Sequence, residues 1–128
     1  MKPSTREWIK KAEGDYLAAI ALSRRRKIPL HDQVCFHCQQ SAEKYLKARL
    51  EEANIFSPKT HDLKKLLQLA LPIEPLWSAL LPALVRLNQF AVDVRYPGHE
   101  ATKQEAGMAL ADCKAMRREV RIAMGLKT

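Results

Sequence analysis

Apolar residues recur in this chain at intervals of three and four almost from end to end, and that period admits helices and little else. Cys35, Cys38, Ala42, Tyr45, Leu46, Leu50 and Ala53 form one such stripe, and Ala106, Leu110, Cys113, Met116 and Val120 form another. With only four glycines in 128 residues, the chain is poorly suited to an all-β fold full of tight turns. A single domain over residues 1–128 is expected, long enough to bury roughly two thirds of its unfolded surface. No apolar run approaches the ~20 residues that a membrane helix needs, and the opening Met1-Lys2-Pro3-Ser4-Thr5 has no signal-peptide core. A cytoplasmic protein without a membrane partner is the expectation.

The stripes and their punctuation divide the chain. A first helix is expected from about Thr5 to Arg25, capped by Ser4 or Thr5, with Glu7 favouring its positive end. Asp32 is the expected N-cap of a second helix reaching about Ala53. Its polar residues Gln40, Glu43, Lys44, Lys47 and Glu51, with Glu43–Lys47 and Lys47–Glu51 at (i, i+4), read as an exposed face. Thr60-His61-Asp62 leads into a short third helix ending near Ala70, with either Thr60 or Asp62 as cap. A fourth helical region spans about Leu76 to Val94 and contains Pro82, where a kink or restart is expected. The last helix runs from about Glu100 to Met124, with Gly125 as terminator. Together these make an all-α, antiparallel up-and-down four-helix bundle with one additional short helix.

A net charge of +8 favours acidic partners such as nucleotides or nucleic acid. The run Ser23-Arg24-Arg25-Arg26-Lys27 can contact nucleic acid, but it serves more simply as positive charge at a helix C-terminus. Lys114, Arg117, Arg118 and Arg121 give the last helix a basic flank. Cys35-Phe36-His37-Cys38 has CxxC spacing inside a helical stripe, and no second close pair supplies the remaining zinc ligands, so core packing is the better reading. No metal and no cofactor are expected.

Arg95-Tyr96-Pro97-Gly98-His99 carries the chemistry. Pro97-Gly98 suits the centre of a type II turn, which would present Arg95 and His99 near each other at the start of the next helix. Arg95 can hold a phosphate bidentately, and His99 titrates near neutrality as a base or acid requires. Tyr96 either stacks on a base or packs on the bundle end. Lys44 and Lys47 can line a phosphate groove or simply solvate a helix face, and His37 and His61 can contribute imidazole. Arg95 can also form a structural ion pair with Asp93 or with an acid on the second helix.

Several pieces coincide in order. Trp8, Ala12, Asp15 and Ala19 are followed by Phe-His-Cys-Gln-Gln-Ser-Ala-Glu-Lys-Tyr-Leu-Lys over residues 36–47, Thr60-His61-Asp62-Leu63, and Asp93-Val94-Arg95-Tyr96-Pro97. Over essentially its whole length the chain resembles the HEPN family, the higher eukaryotes and prokaryotes nucleotide-binding domain. The resemblance implies a helical bundle, commonly a homodimer, often encoded beside a minimal nucleotidyltransferase in two-component modules that include toxin–antitoxin pairs. It also implies a second possibility, a metal-independent endoribonuclease toxin whose signature is Arg, four to six residues, then His. Here Arg95 and His99 enclose only three residues, which favours binding of nucleotide or RNA over cleavage. A basic bundle acting only as a protein adaptor is the third reading.

Overall fold

The computed structural model describes residues 1–91 and 97–128. Among them are five α-helices, α1 (Pro3–Ser23), α2 (His31–Glu52), α3 (Leu63–Ala70), α4 (Leu81–Asn88) and α5 (Lys103–Ala123), with a 3-10 turn over Pro75–Leu80 ahead of α4. The described residues contain no strand.

Side-chain links set the directions. The start of α1 meets the end of α2, where the Lys2 backbone N–H donates to Glu52 Oε1 at 3.0 Å and Lys2 Nζ lies 3.3 Å from Glu51 Oε1. α5 runs alongside α2 in the same sense, because Asp32 reaches Ala101 and Tyr45 meets Arg121. α4 returns against both. Glu74 ahead of it pairs with Arg49 late in α2, while Asn88 at its end caps the start of α3. The order α1, α2, α4, α5 is therefore up-and-down, and α3 is the short addition.

α2 is the axis, packed against each of the other helices. Ala12 and Ala19 on α1 are fully buried and let its backbone come close, so that Ser41 Oγ donates to the Ala12 carbonyl at 2.9 Å. Tyr45, Leu46, Leu50, Leu66, Leu87, Met116 and Val120 fill the core, each such side chain stabilising the fold by about 1.5–3 kcal/mol relative to exposure. Cys35, Cys38 and Cys113 are thiols not bridged by disulfides and lie buried in that core, as the stripe predicts.

Several expected boundaries and caps move. α1 begins at Pro3 with Lys2 at the cap position and no side-chain cap. Proline suits this place because it has no N–H to lose. The hydroxyls of Ser4 and Thr5 donate instead to Glu51 and Glu52, and Glu7 falls beyond the first turn. α2 starts one residue before Asp32, so Asp32 lies in the first turn rather than at the cap. Asp62 caps α3, accepting from the Lys64 N–H at 3.0 Å, while Thr60 Oγ1 accepts from the Asp62 N–H. At Pro82 the expected interruption is a restart and not a kink: α4 begins at Leu81 after the 3-10 turn, with Pro82 in its first turn. α4 ends at Asn88 rather than near Val94, and Gln89 and Phe90 turn away from it. Gly125 terminates α5 with φ +72°, the Leu126 N–H reaching the Arg121 carbonyl at 2.8 Å.

The largest correction concerns the polar face of α2. Glu43 and Lys47 are only 3% and 9% exposed, because helices surround α2 on more sides than the charge pattern implies. Their (i, i+4) pair exists at 3.0 Å, but as a buried one, while Glu51 turns to Lys2 and Ser4.

Candidate functional site

Pro97 and Gly98 form a turn with Gly98 at φ +87°, a left-handed value that glycine adopts without penalty and that the second central position of a type II turn requires. Pro97 through Glu100 are exposed, and His99 stands on this surface. Two residues on, Ala101 is buried and its N–H donates to Asp32 Oδ1 at 2.7 Å, which ties the turn to the first turn of α2. Arg95, Tyr96 and Asp93 lie outside the described residues, and so does the expected meeting of Arg95 with His99.

α5 begins at Lys103 and not near Glu100. Thr102 is its N-cap, accepting from the Glu105 N–H at 3.0 Å while Glu105 Oε1 accepts from the Thr102 N–H at 3.0 Å. This capping box engages the helix start with its own side chains, so the anion-binding N-terminus expected beside His99 is displaced along the chain and partly occupied.

Lys44 and Lys47 each meet a carboxylate. Lys44 Nζ lies 2.6 Å from Asp15 Oδ2, and the other oxygen of Asp15 is 2.8 Å from His37 Nδ1. Lys47 Nζ is 3.0 Å from Glu43 Oε2 and stands 5.6 Å from the centre of the Trp8 ring. Glu43 Oε1 is 2.8 Å from His61 Nδ1 and accepts from Gln39 Nε2 at 3.2 Å. These links join α1, α2 and the start of α3, and a phosphate approaching either lysine competes with a carboxylate already in place. His37 and His61 thus belong to two separate carboxylate clusters.

The basic flank of α5 divides in the same way. Arg117 grips Glu13 with Nε and Nη2 at 2.7 and 2.8 Å and lies 4.6 Å from the centre of the Tyr16 ring. Arg121 donates to Tyr45 Oη and to the Lys127 carbonyl. The hydrogen bond from Arg117 holds the Glu13 carboxyl below its ordinary value, and burial pushes the Tyr45 phenol up. Hydrogen bonding with Cys113 and burial raise the Cys38 thiol, so it stays protonated. Among the described residues no three Cys, His, Asp or Glu side chains gather as a metal site would need.

Sequence reasoning missed a cleft of about 800 Å³ where the end of α1, the start of α2 and the start of α5 meet. Arg24, Arg25, Arg26, His31 and Lys103 line it. The arginine run lies past the last residue of α1, so it projects from the bundle end rather than sitting in the helix's final turn. The signal was present in three consecutive arginines, but linear sequence does not reveal that Lys103 lies across from them.

The described chain contains no helix long and apolar enough to cross a membrane. The HEPN domain matches residues 5–123. Among solved structures, TT1696 from Thermus thermophilus is 24% identical with a TM-score of 0.78, covering 94% of this chain and 98% of its own. ST0689, an archaeal HEPN homologue, is also 24% identical with a TM-score of 0.76, covering 96% of this chain and 98% of its own. No curated protein gives a significant match. A match over nearly the whole length, on a helical bundle shared with an HEPN homologue, places this chain in the HEPN family.

Proposed function

We propose that this HEPN protein binds the phosphate of a nucleotide or RNA through the Arg95–His99 segment, acting as a homodimeric partner of a minimal nucleotidyltransferase in a two-component, toxin–antitoxin-like module. The observation that carries the reading is the exposed His99 on a turn anchored by Asp32 to α2. The anchor fixes the chain two residues from the imidazole, which limits the entropy lost when an anion is held there. A net charge of +8 supports an acidic ligand. In this reading Tyr96, the neighbour of Arg95 in the sequence, offers a ring or hydroxyl to the ligand, whereas Lys44 and Lys47 act in binding only if an anion displaces Asp15 and Glu43.

The second reading is a metal-independent endoribonuclease with Arg95 and His99 as its catalytic pair. The exposed His99 can exchange a proton with a substrate oxygen, and Arg95 can stabilise charge on phosphorus. The three-residue spacer, shorter than the family signature, favours binding.

One experiment separates them: wild type, Arg95→Ala and His99→Ala are incubated with single-stranded RNA in EDTA, with RNA binding measured in parallel. Binding lost in Arg95→Ala without cleavage by wild type is the expected result. Cleavage that disappears in both variants would establish the nuclease instead, and wild-type binding retained in Arg95→Ala would remove the segment from the function.

A further inference from the structure

We infer that the loop between α1 and α2 is a processing site, where an endoprotease specific for arginine or lysine cuts the chain and leaves α1 docked as a separate piece. Ser23 through Pro29 are exposed without a break. Arg24, Arg25, Arg26 and Lys27 stand there in succession, and an acidic specificity pocket accepts such side chains by pairing its carboxylate with their charge. α1 stops at Ser23 and α2 starts at His31, so the scissile bonds lie outside both helices. Proteases nick folded chains at exposed loops, because the backbone must open locally to enter the protease cleft. Two features make that opening easy here. No backbone hydrogen bond joins residues 26–29 to another described residue; the last of α1 are those from the Arg24 and Arg25 N–H groups to the Ala21 and Leu22 carbonyls. Ile28 sits at φ +51°, a left-handed value that a β-branched residue rarely adopts, and it is 75% exposed. Strain without burial to offset it favours the open loop. Lys59, in the loop between α2 and α3, is braced by contrast: the Thr60 N–H donates to the Pro58 carbonyl at 2.8 Å and the Asp62 N–H to Thr60 Oγ1 at 3.1 Å.

What holds α1 is spread along the helix and does not pass through the loop. Glu52 accepts from the Lys2 N–H and the Thr5 hydroxyl at one end. Ser41 donates to the Ala12 carbonyl, Asp15 meets Lys44 and His37, and Glu13 meets Arg117 farther along. Ala12 and Ala19 are fully buried. Addition of water across one loop peptide bond leaves a carboxylate on the upstream residue and an amine on the downstream one, and disturbs none of these contacts. It does change how α1 leaves. The tether of residues 24–30 keeps α1 at a roughly millimolar effective concentration, and the cut makes its docking bimolecular. When α1 departs, Asp15 and Glu13 go with it, and Lys44 and Arg117 lose these carboxylates. The cut thus turns a fixed helix into an exchangeable cover over basic side chains of α2 and α5.

Limited digestion with trypsin, followed by intact mass spectrometry, tests the site. The first internal cut is expected after one of Arg24, Arg25, Arg26 or Lys27. The variant Arg24→Gln/Arg25→Gln/Arg26→Gln/Lys27→Gln should survive trypsin about tenfold longer or more. Subtilisin, which does not require a basic residue, should still cut that variant first within residues 23–29, because the exposure of the loop remains. A first internal cut elsewhere by either protease, at Lys59 or Arg95 for example, would overturn the site, and so would wild type surviving trypsin as long as the variant. The trypsin-cut protein is then passed over a sizing column and melted at several concentrations. Its two pieces should elute together with the helical circular dichroism of the intact chain, and its melting temperature should fall on dilution while that of the intact chain stays constant. Pieces that part or aggregate as soon as the cut is made would overturn the docked α1, as would a melting temperature of the cut protein independent of concentration.

Discussion

Removing the Glu43 carboxylate tests whether the polar residues of α2 are structural. Glu43→Ala deletes the acceptor of Lys47, His61 and Gln39 at once. Lys47 is 9% exposed and Gln39 fully buried, so water reaches neither freely. Breaking a buried pair by removing one partner costs about 3–5 kcal/mol, because the remaining charge is left in a low-dielectric site. The Trp8 ring 5.6 Å from the Lys47 ammonium stays in place and offsets part of this, which puts the expected loss at the lower end, about 3 kcal/mol. That is a large share of the roughly 5–15 kcal/mol that holds a domain together. At about 4 °C per kcal/mol, the melting temperature should fall by about 12 °C.

Urea unfolding followed by circular dichroism measures the loss. Glu43→Gln keeps the shape and one acceptor but not the charge, and should fall between wild type and alanine. Glu43→Leu/Lys47→Met removes both charges, leaves no orphaned ammonium, and should recover most of the stability, with Gln39 still donating to the His61 carbonyl. A Glu43→Ala protein within about 1 kcal/mol of wild type would mean that the pair is solvated and contributes as a surface bridge does. A double variant no better than Glu43→Ala would place the loss in the vacated volume instead of the abandoned ammonium.

The Glu13 carboxyl, held below its ordinary value by Arg117, contributes stability that is fully present above the unfolded carboxylate pKa of about 4.3 and is lost as pH falls through the lower folded value. The stability difference between wild type and Glu13→Gln should therefore be constant near neutrality and shrink below about pH 4; a difference that grows on acidification refutes the assignment. Thr102→Ala removes the hydroxyl that accepts from the Glu105 N–H and should cost about 1 kcal/mol in urea unfolding, with Thr102→Ser close to wild type. Equal losses in the two would mean that the methyl group, not the cap, matters there.

The bundle was legible because its core stripes are long and regular. Cys35 to Leu50 and Ala106 to Val120 each repeat over several turns, so their burial follows from period alone. Caps were legible only where local chemistry decides them. Asp62 caps its own helix, whereas Ser4, Thr5 and Asp32 look like caps but are drawn to Glu51, Glu52 and Ala101 from distant parts of the chain. The polar face of α2 misled for a related reason: an (i, i+4) Glu–Lys pair has the same spacing whether solvent or a neighbouring helix covers it. Of the site, the Gly98 turn was readable from Pro97-Gly98, while the delayed start of α5 depends on the reciprocal bonds of Thr102 and Glu105. The cleft was unreadable, since it joins residues some eighty positions apart.

Charge in this bundle is divided by position, and the division argues for where ligands bind. Along its sides, Lys44, Lys47, Arg86 and Arg117 meet Asp15, Glu43, Asp112 and Glu13 across helix boundaries or one turn apart. Such cations are committed to holding helices in register, and an incoming phosphate must first displace a carboxylate. At the end where α1 stops, Arg24, Arg25 and Arg26 extend past the last helical residue, beyond the reach of that lattice. The opposite end differs again, with Glu51 and Glu52 gathering Lys2 and the N-terminal ammonium. Neutralising a side cation should therefore lower the melting temperature and leave anion affinity little changed. Neutralising an end cation should do the reverse. A protein in which both classes changed stability alike would have no basic end to offer a ligand.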